Sequence, residues 1–187
     1  GSHSDKLVAL PTWSTFEDVE GDYWYYASGF AELSVDIVTQ SGGSDYAYVH
    51  GGIGKDVFVG HGTQATMDWG NDGSVDLTLN QFQRVFVILA ASDGDSVSFV
   101  GTAHSEAFVA RPTSSSFWDV EGDYRFDVSG FGKLSVDILT QPGGFDCAYV
   151  YGGAGQDSFV GNGTEATIDW GDNGSVDLTV SGFKRVS

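Results

Sequence analysis

The sequence is poor in positive charge, in cysteine and in long apolar runs. It contains 8 Lys and Arg residues against 26 Asp and Glu residues, which gives a formal net charge of -18 at pH 7. A field of this sign repels phosphate backbones, so we predict that nucleic acid is not a partner. No run approaches the roughly 18 apolar residues of a membrane-spanning helix, which argues against membrane insertion. The single cysteine, Cys147, excludes an internal disulfide bond.

Residues typical of catalytic sites are also scarce. The chain has four histidines and no pattern typical of a nucleophile elbow or a phosphate-binding loop. Carboxylate pairs such as Asp18 and Glu20 are too frequent in so acidic a chain to indicate an active site. The few basic residues argue against an enzyme acting on acidic polysaccharides, which is the third interpretation. We therefore predict that the chain is not an enzyme.

A long internal repeat is the strongest pattern in the sequence. Residues 11–85 align with residues 112–186 without a gap, and 49 of these 75 positions are identical. The first four residues, Gly1–Ser4, are predicted to be an expression scar. The sequence thus predicts a tandem-repeat domain over residues 5–187, with a long repeat of 101 residues.

A weaker period of roughly 50 residues lies inside the long repeat, in the range typical of solenoids, propellers and arrays. It is marked by acidic residues at regular intervals, namely Asp5, Asp56, Glu106 and Asp157. We predict four units, at about 5–44, 45–94, 95–145 and 146–187, taken from a longer array whose neighbouring repeats are partners.

Within each unit the apolar residues alternate with polar ones, which is the period of a β-strand. Leu33, Val35 and Ile37 alternate with Ser34 and Asp36. With 27 glycines and no convincing helical pattern, the chain is predicted to be all-β. Repeat spacing favours a β-solenoid of about four repeats, whereas turn signals such as Asn71-Asp72-Gly73 favour the alternative, tandem antiparallel β-sandwiches.

Two segments match the nonapeptide pattern G-G-x-G-x-D-x-U-x, one at 51–59 and the other at 152–160. Here the chain resembles the RTX, or hemolysin-type, calcium-binding repeats of secreted bacterial proteins, in long-period form. The resemblance implies Ca²⁺ as a cofactor, bound in glycine-rich turns by aspartate oxygen atoms. The metal ligands expected on this basis are Asp45, Asp56, Asp146 and Asp157.

The same segments also fit a purely structural role. RTX nonapeptides run back to back, but here the preceding aspartate, Asp45, lies further upstream of Asp56 than one nonapeptide allows. In the alternative interpretation, the glycines form corners and the aspartates hydrogen-bond to the turn backbone.

Aromatic residues on outward strand positions form a second candidate site. Alternation that directs Tyr25 inward directs Trp24 and Tyr26 outward, and Tyr48 and Tyr149 recur on an outward face. Flat exposed rings stack on sugars or anchor protein partners. Neighbouring repeats in a longer array would cover the same rings.

These patterns predict a structural or adhesive repeat segment of a secreted or cell-surface bacterial protein, and the RTX resemblance implies that calcium stabilises it. The alternative is a carbohydrate- or protein-binding module that uses the exposed aromatic residues. Exposed sheet edges also predict a homodimer.

Overall fold

The computed structural model describes residues 3–37, 44–90, 94–138 and 145–187. These residues form 19 β-strands and no helix. Accordingly, no helix in the described ranges has the length and hydropathy needed to cross a membrane.

Twelve of the strands form four antiparallel meanders of three strands each. The first two meanders are β1 (Asp5–Leu10), β2 (Trp13–Asp18), β3 (Trp24–Ser28), and β6 (Val57–His61), β7 (Gln64–Asp68), β8 (Leu77–Asn80). The last two are β11 (Glu106–Arg111), β12 (Ser114–Asp119), β13 (Arg125–Ser129), and β16 (Asp157–Asn162), β17 (Glu165–Trp170), β18 (Leu178–Ser181). The remaining strands are β4 (Leu33–Asp36), β5 (Tyr46–His50), β9 (Arg84–Ile88), β10 (Ser96–Val100), β14 (Lys133–Asp137), β15 (Cys147–Val150) and β19 (Arg185–Val186).

The strands lie in two sheets that enclose one core. Sheet A has ten strands in the order β19-β15-β11-β12-β13-β9-β5-β1-β2-β3. Sheet B has nine, in the order β16-β17-β18-β14-β10-β6-β7-β8-β4. Strands β3 and β4 form the edges at one end of the stack, and β19 and β16 form the edges at the other end.

Parallel pairing between distant strands makes the structure a β-solenoid of about four turns, as the repeats predict. In sheet A, Leu7 of β1 pairs with Ala47 of β5, which pairs with Val85 of β9, which pairs with Phe126 of β13. Stacked strands are therefore roughly 40 residues apart in the chain. The turn signals that favoured antiparallel hairpins belong to the meanders, which are built into the same two sheets.

The period of roughly 50 residues in the sequence corresponds to a structural unit of five strands. Each of the first three units consists of a three-stranded meander, one strand in the opposite sheet and one strand back in the first sheet; the described part of the fourth unit has the meander and β19. The meanders consequently alternate between the sheets: β1–β3 and β11–β13 lie in sheet A, whereas β6–β8 and β16–β18 lie in sheet B. This alternation explains why the long repeat is much stronger than the short one.

A column of phenylalanine rings fills the centre of the core. Phe99 contacts Phe117 and Phe126 with near-parallel rings, at centroid distances of 5.1 and 5.8 Å. Phe58 meets Phe126 edge to face at 5.9 Å. These rings come from both sheets and from different units, so the units share one continuous core.

The core opens at both ends of the stack. Phe58 in β6 is 1% exposed, whereas its repeat counterpart Phe159, in the edge strand β16, is 55% exposed. At the other end, Tyr25 of the edge strand β3 is 63% exposed, while its counterpart Phe126 is 1% exposed. The same repeat positions are buried wherever a further strand pairs beside them.

Candidate functional site

Buried carboxylates connect neighbouring strands along the stack. In each case an aspartate just before a strand accepts a hydrogen bond from a backbone N–H of a distant segment of the chain. The three bonds are Asp5 N to Asp45 Oδ1 at 3.0 Å, Asp56 N to Asp95 Oδ1 at 2.8 Å, and Glu106 N to Asp146 Oδ1 at 2.9 Å. The carboxylates thereby hold successive turns of the solenoid in register.

The Gly-Gly-x-Gly-x-Asp segment forms a corner that its aspartate closes. Both carboxylate oxygens of Asp56 accept backbone N–H groups, from Gly52 at 2.6 Å and from Gly70 at 3.0 Å. Asp157 accepts the two equivalent N–H groups at 2.7 and 3.1 Å. A Cβ at Gly52 would lie 3.0 Å from the Pro11 ring, so glycine is needed for this close packing.

The four predicted metal ligands do not gather into one group. The Asp45 carboxylate accepts the Asp5 N–H group, whereas the Asp56 carboxylate accepts N–H groups of its own corner, from Gly52 and Gly70. In the described part of the chain, none of the four belongs to a cluster of three or more metal-ligating side chains. Calcium binding at these residues stays a prediction; their carboxylates have a hydrogen-bonding role without it.

Sequence reasoning did not include Glu106 among the site residues, although it marks the shorter period. Its side chain is fully buried, and its Oε1 atom accepts hydrogen bonds from Thr102 N at 2.5 Å and from the Tyr124 hydroxyl at 3.0 Å. Burial raises the pKa of the Glu106 carboxyl. Burial also raises the pKa of Asp45, more than its hydrogen bond from the Asp5 backbone lowers it. The stack thus carries acidic groups whose charge the core disfavours.

A mixed cluster of nitrogen and oxygen ligands lies at the turn between β12 and β13. Its potential ligand atoms, from His104, Asp119 and Glu121, lie within 4.8 Å of one another. His104 Nδ1 is 3.5 Å from Asp119 Oδ2. Burial raises the pKa of the Asp119 carboxyl, but the hydrogen bonds from Glu121, Asp123 and His104 outweigh it, so the pKa lies below its usual value.

The same cluster occurs one long repeat earlier, as His3, Asp18 and Glu20. His3 Nδ1 lies 3.0 Å from Asp18 Oδ2. Ser4 also makes the contact of its counterpart Ser105, since each backbone carbonyl accepts an N–H group from the following turn. His3 and Ser4, predicted to belong to an expression scar, therefore occupy repeat positions in the fold.

Aromatic rings occupy the outer face of sheet A. Trp13, Tyr26 and Trp24 stand side by side with nearly parallel rings, at centroid distances of 6.3 and 6.2 Å. Trp24 is 60% exposed and Tyr26 is 56% exposed, as is their neighbour Tyr25 at 63%, because β3 is an edge strand; the stacking of Tyr26 with both tryptophan rings places the three on one face. Their rings lie on β2 and β3, at one end of the sheet.

Further along the same face, Tyr48 stacks on Phe86 with a centroid distance of 4.8 Å and an interplanar angle of 9°. The pair lines a groove of about 290 Å³ together with Ile88 and Ser116. Tyr149 projects outward at the far end of the sheet. The four predicted aromatic residues therefore share one face, but Tyr48 and Tyr149 are separated from Trp24 and Tyr26 by several strands.

An ion-pair network borders this groove. Asp127 accepts hydrogen bonds from Arg84 Nε at 2.8 Å, from Arg125 Nη2 at 2.9 Å and from the Ser116 hydroxyl at 2.7 Å. Burial raises the pKa of Asp127, but the bonds from Arg125, Ser116 and Arg84 outweigh it and hold the pKa below its usual value. The sequence contained no signal for this network, because Arg84 and Arg125 come from different kinds of unit.

Comparisons with known proteins identify no relative. No protein-family model, no curated protein and no solved structure matches the chain.

Proposed function

We propose that the chain is a structural and adhesive repeat segment of a secreted or cell-surface bacterial protein. The observation that carries the proposal is the repetition of one bonding pattern along the stack, in which each turn is tied to the next by backbone pairing and by a buried carboxylate. A body built this way grows by addition of repeats without a change in its cross-section. Such growth suits a spacer that holds a binding surface away from its anchor.

The core supports a stiff spacer. Phenylalanine rings from different units contact one another, so a bend between units would open well-packed apolar surface. Neighbouring repeats are the expected partners at the two ends, where Phe159 and Tyr25 are exposed.

Solution scattering from lengthened polypeptides tests this proposal. Each added copy of residues 11–111 contributes five strands to each sheet, as the step from β1 to β11 illustrates. Because neighbouring strands lie about 4.8 Å apart, each copy should lengthen the particle by about 24 Å at constant cross-section. A radius of gyration that grows only as that of a compact globule would contradict a spacer.

Location at the cell surface needs a separate test. Antibodies against the folded chain should label intact cells of the source organism. Labelling that requires permeabilised cells would refute the surface assignment and leave the spacer geometry untouched.

A second candidate function, carbohydrate binding on sheet A, is supported by the aligned rings of Trp13, Tyr26 and Trp24. Exposed rings such as those of Trp24 and Tyr26 are suited to stacking against sugars. Replacing Trp24 and Tyr26 together by alanine should abolish binding on a glycan array and leave the melting temperature unchanged. Val160→Ala removes an exposed apolar group from the outer face of sheet B and is the matched control. Binding that survives the double replacement would refute this role for the two rings.

A further inference from the structure

The positive charge of this acidic protein is concentrated on one surface. Five of the 8 Lys and Arg residues occupy outward positions of sheet A, where only two acidic residues, Glu17 and Asp127, accompany them. The five are Lys6, Arg84, Arg111, Arg125 and Arg185. The outer face of sheet A thus has a formal charge of +3, and the rest of the chain has -21.

Three of these basic side chains share a single row with two aromatic ones. Five consecutive strands, β1, β5, β9, β13 and β12, place their outward residues opposite one another through the register of the sheet. In order, the row is Lys6, Tyr46, Arg84, Arg125 and Trp118. Neighbouring members are about 4.8 Å apart, so the row offers a charge or a ring at regular intervals across the sheet.

Aromatic contacts fix the arginines on this face. The guanidinium carbon of Arg84 lies 4.4 Å above the Phe86 ring, and that of Arg125 lies 5.3 Å from the Trp118 ring. Both guanidinium groups also bond to Asp127, which lies between them. Their side chains nevertheless remain 39% and 41% exposed. A guanidinium held beside a ring and still open to solvent can donate to an incoming anion with little loss of conformational entropy.

A third cation–ring pair lies at the other end of the face. The guanidinium carbon of Arg111 is 4.7 Å from the Tyr151 ring, and both side chains are exposed. Tyr149, two residues before Tyr151, is an exposed residue of β15. The combination of ring and guanidinium therefore recurs along the sheet.

We propose that the outer face of sheet A binds an anionic polysaccharide. The sugar rings stack on the aromatic side chains, and the carboxylate or sulfate groups accept hydrogen bonds from Arg84, Arg125 and Arg111. The proposal rests on sheet A being the binding face, and it names the class of ligand for that face. A neutral sugar would need the rings but would gain nothing from the grouping of the basic residues.

Charge complementarity selects an acidic sugar polymer over nucleic acid. Duplex DNA carries one negative charge per ~1.7 Å of helix axis. The -21 charges on the rest of the chain would repel so dense a phosphate backbone. A polysaccharide with one acidic group per sugar carries charge more sparsely. The serine and threonine residues on outward positions of sheet B provide neither cation nor ring for such a ligand.

Matched pairs of polymers test the proposal by isothermal titration calorimetry. Polygalacturonate is compared with its methyl ester, and dextran sulfate is compared with dextran, at low and at physiological salt. We expect the charged member of at least one pair to bind at least about tenfold more tightly than the neutral member, the effect of one charge-assisted hydrogen bond. Binding should weaken as salt rises.

Replacement of arginines on sheet A, with a lysine of sheet B as control, tests whether the polymer binds to sheet A. Arg111→Gln combined with Arg84→Gln should weaken binding of the charged polymer at least about tenfold, again the effect of one charge-assisted bond. Lys133→Gln removes one exposed charge from sheet B and should leave binding unchanged. Circular dichroism melts of each variant confirm folding, and Arg111→Gln alone, at an exposed position, gives a second measurement if the double variant unfolds.

The outcomes distinguish the anionic-polysaccharide proposal from the more general proposal that sheet A binds sugars. Equal affinity for charged and neutral polymers would overturn the anionic ligand and keep sheet A as a sugar-binding face. Failure of all four polymers to bind would overturn the anionic-polysaccharide proposal, and the glycan array then decides whether sheet A binds sugars. A single-stranded oligonucleotide that binds as tightly as the charged sugar polymers would overturn the choice of polysaccharide over nucleic acid.

Discussion

Replacement of Phe58 by alanine should destabilise the protein by about 3–5 kcal/mol, the usual loss for a phenylalanine removed from a packed core. Phe58 is 1% exposed and contacts Phe99 and Phe126, which belong to other strands of the stack. The cavity left by the missing ring would therefore lie where strands that are distant in the chain meet. The repeat supplies a matched control in Phe159, which occupies the same position but is 55% exposed.

The expected loss for Phe159→Ala is much smaller. Full burial of a phenylalanine is worth about 1.5–3 kcal/mol, and Phe159 buries a little less than half of its surface, so removal should cost roughly 1 kcal/mol. Urea unfolding followed by circular dichroism measures both values, provided that the m-value does not change. Equal losses for the two variants would refute the stacking described here, because they would place both rings in the same environment.

The same packing leads to three further predictions. Gly130→Ala should lower the melting temperature far more than Gly29→Ala. Both glycines have positive φ, but only at Gly130 would a Cβ overlap the Leu89 carbonyl oxygen. Equal falls in melting temperature would count against the stacking. Glu106→Gln should stabilise the protein by about 1 kcal/mol at pH 7. Because burial raises the pKa of Glu106, the stability that this carboxyl contributes is fully present below its ordinary pKa of 4.5 and is lost as the pH rises through its folded-state pKa. The stability gained by Glu106→Gln should therefore disappear at low pH. A gain that persists there in urea titrations would contradict the raised pKa. Calcium binding, predicted from the Gly-Gly-x-Gly-x-Asp segments, should appear as a Ca²⁺-specific rise in melting temperature that Asp56→Asn abolishes; a flat response to millimolar Ca²⁺ would leave Asp56 with only the backbone N–H groups that its two oxygens accept.

The strands and the class of fold could be predicted from the sequence because one residue in two faces the core. Leu77 and Leu79 are both 1% exposed, as their alternation with polar residues requires. The β-solenoid prediction is confirmed as well. The spacing of stacked strands could not be predicted, since self-alignment detects equivalent residues and not neighbouring ones. Phe58 and Phe99 touch in the core, although their separation along the chain matches neither repeat period.

The candidate sites, like the spacing of stacked strands, could be predicted from the sequence only in part. Strand alternation puts Trp24 and Tyr26 on the same face of β3, where their rings stack on each other. It could not bring together Arg84 and Arg125, which pair across neighbouring strands but have Arg185 and Trp24 as their repeat counterparts. A binding surface built across strands depends on the order of strands in the sheet, and that order depends on the tertiary structure rather than on any one segment.

The alternation of meanders between the sheets explains how one repeat can build two different faces. Each unit is followed by a meander on the sheet opposite to its own, so the meanders of successive units present their outward residues on different sides. Tyr26 and Asp127 are counterparts on sheet A, whereas Thr66 and Thr167 are counterparts on sheet B. Selection for a ligand on one face can therefore act mainly on the meanders of one kind of unit, while the other kind contributes single strands such as β9 to the same face. A gain or loss of one unit would move every later meander to the opposite sheet and interrupt the face, but a gain or loss of one whole long repeat would preserve it.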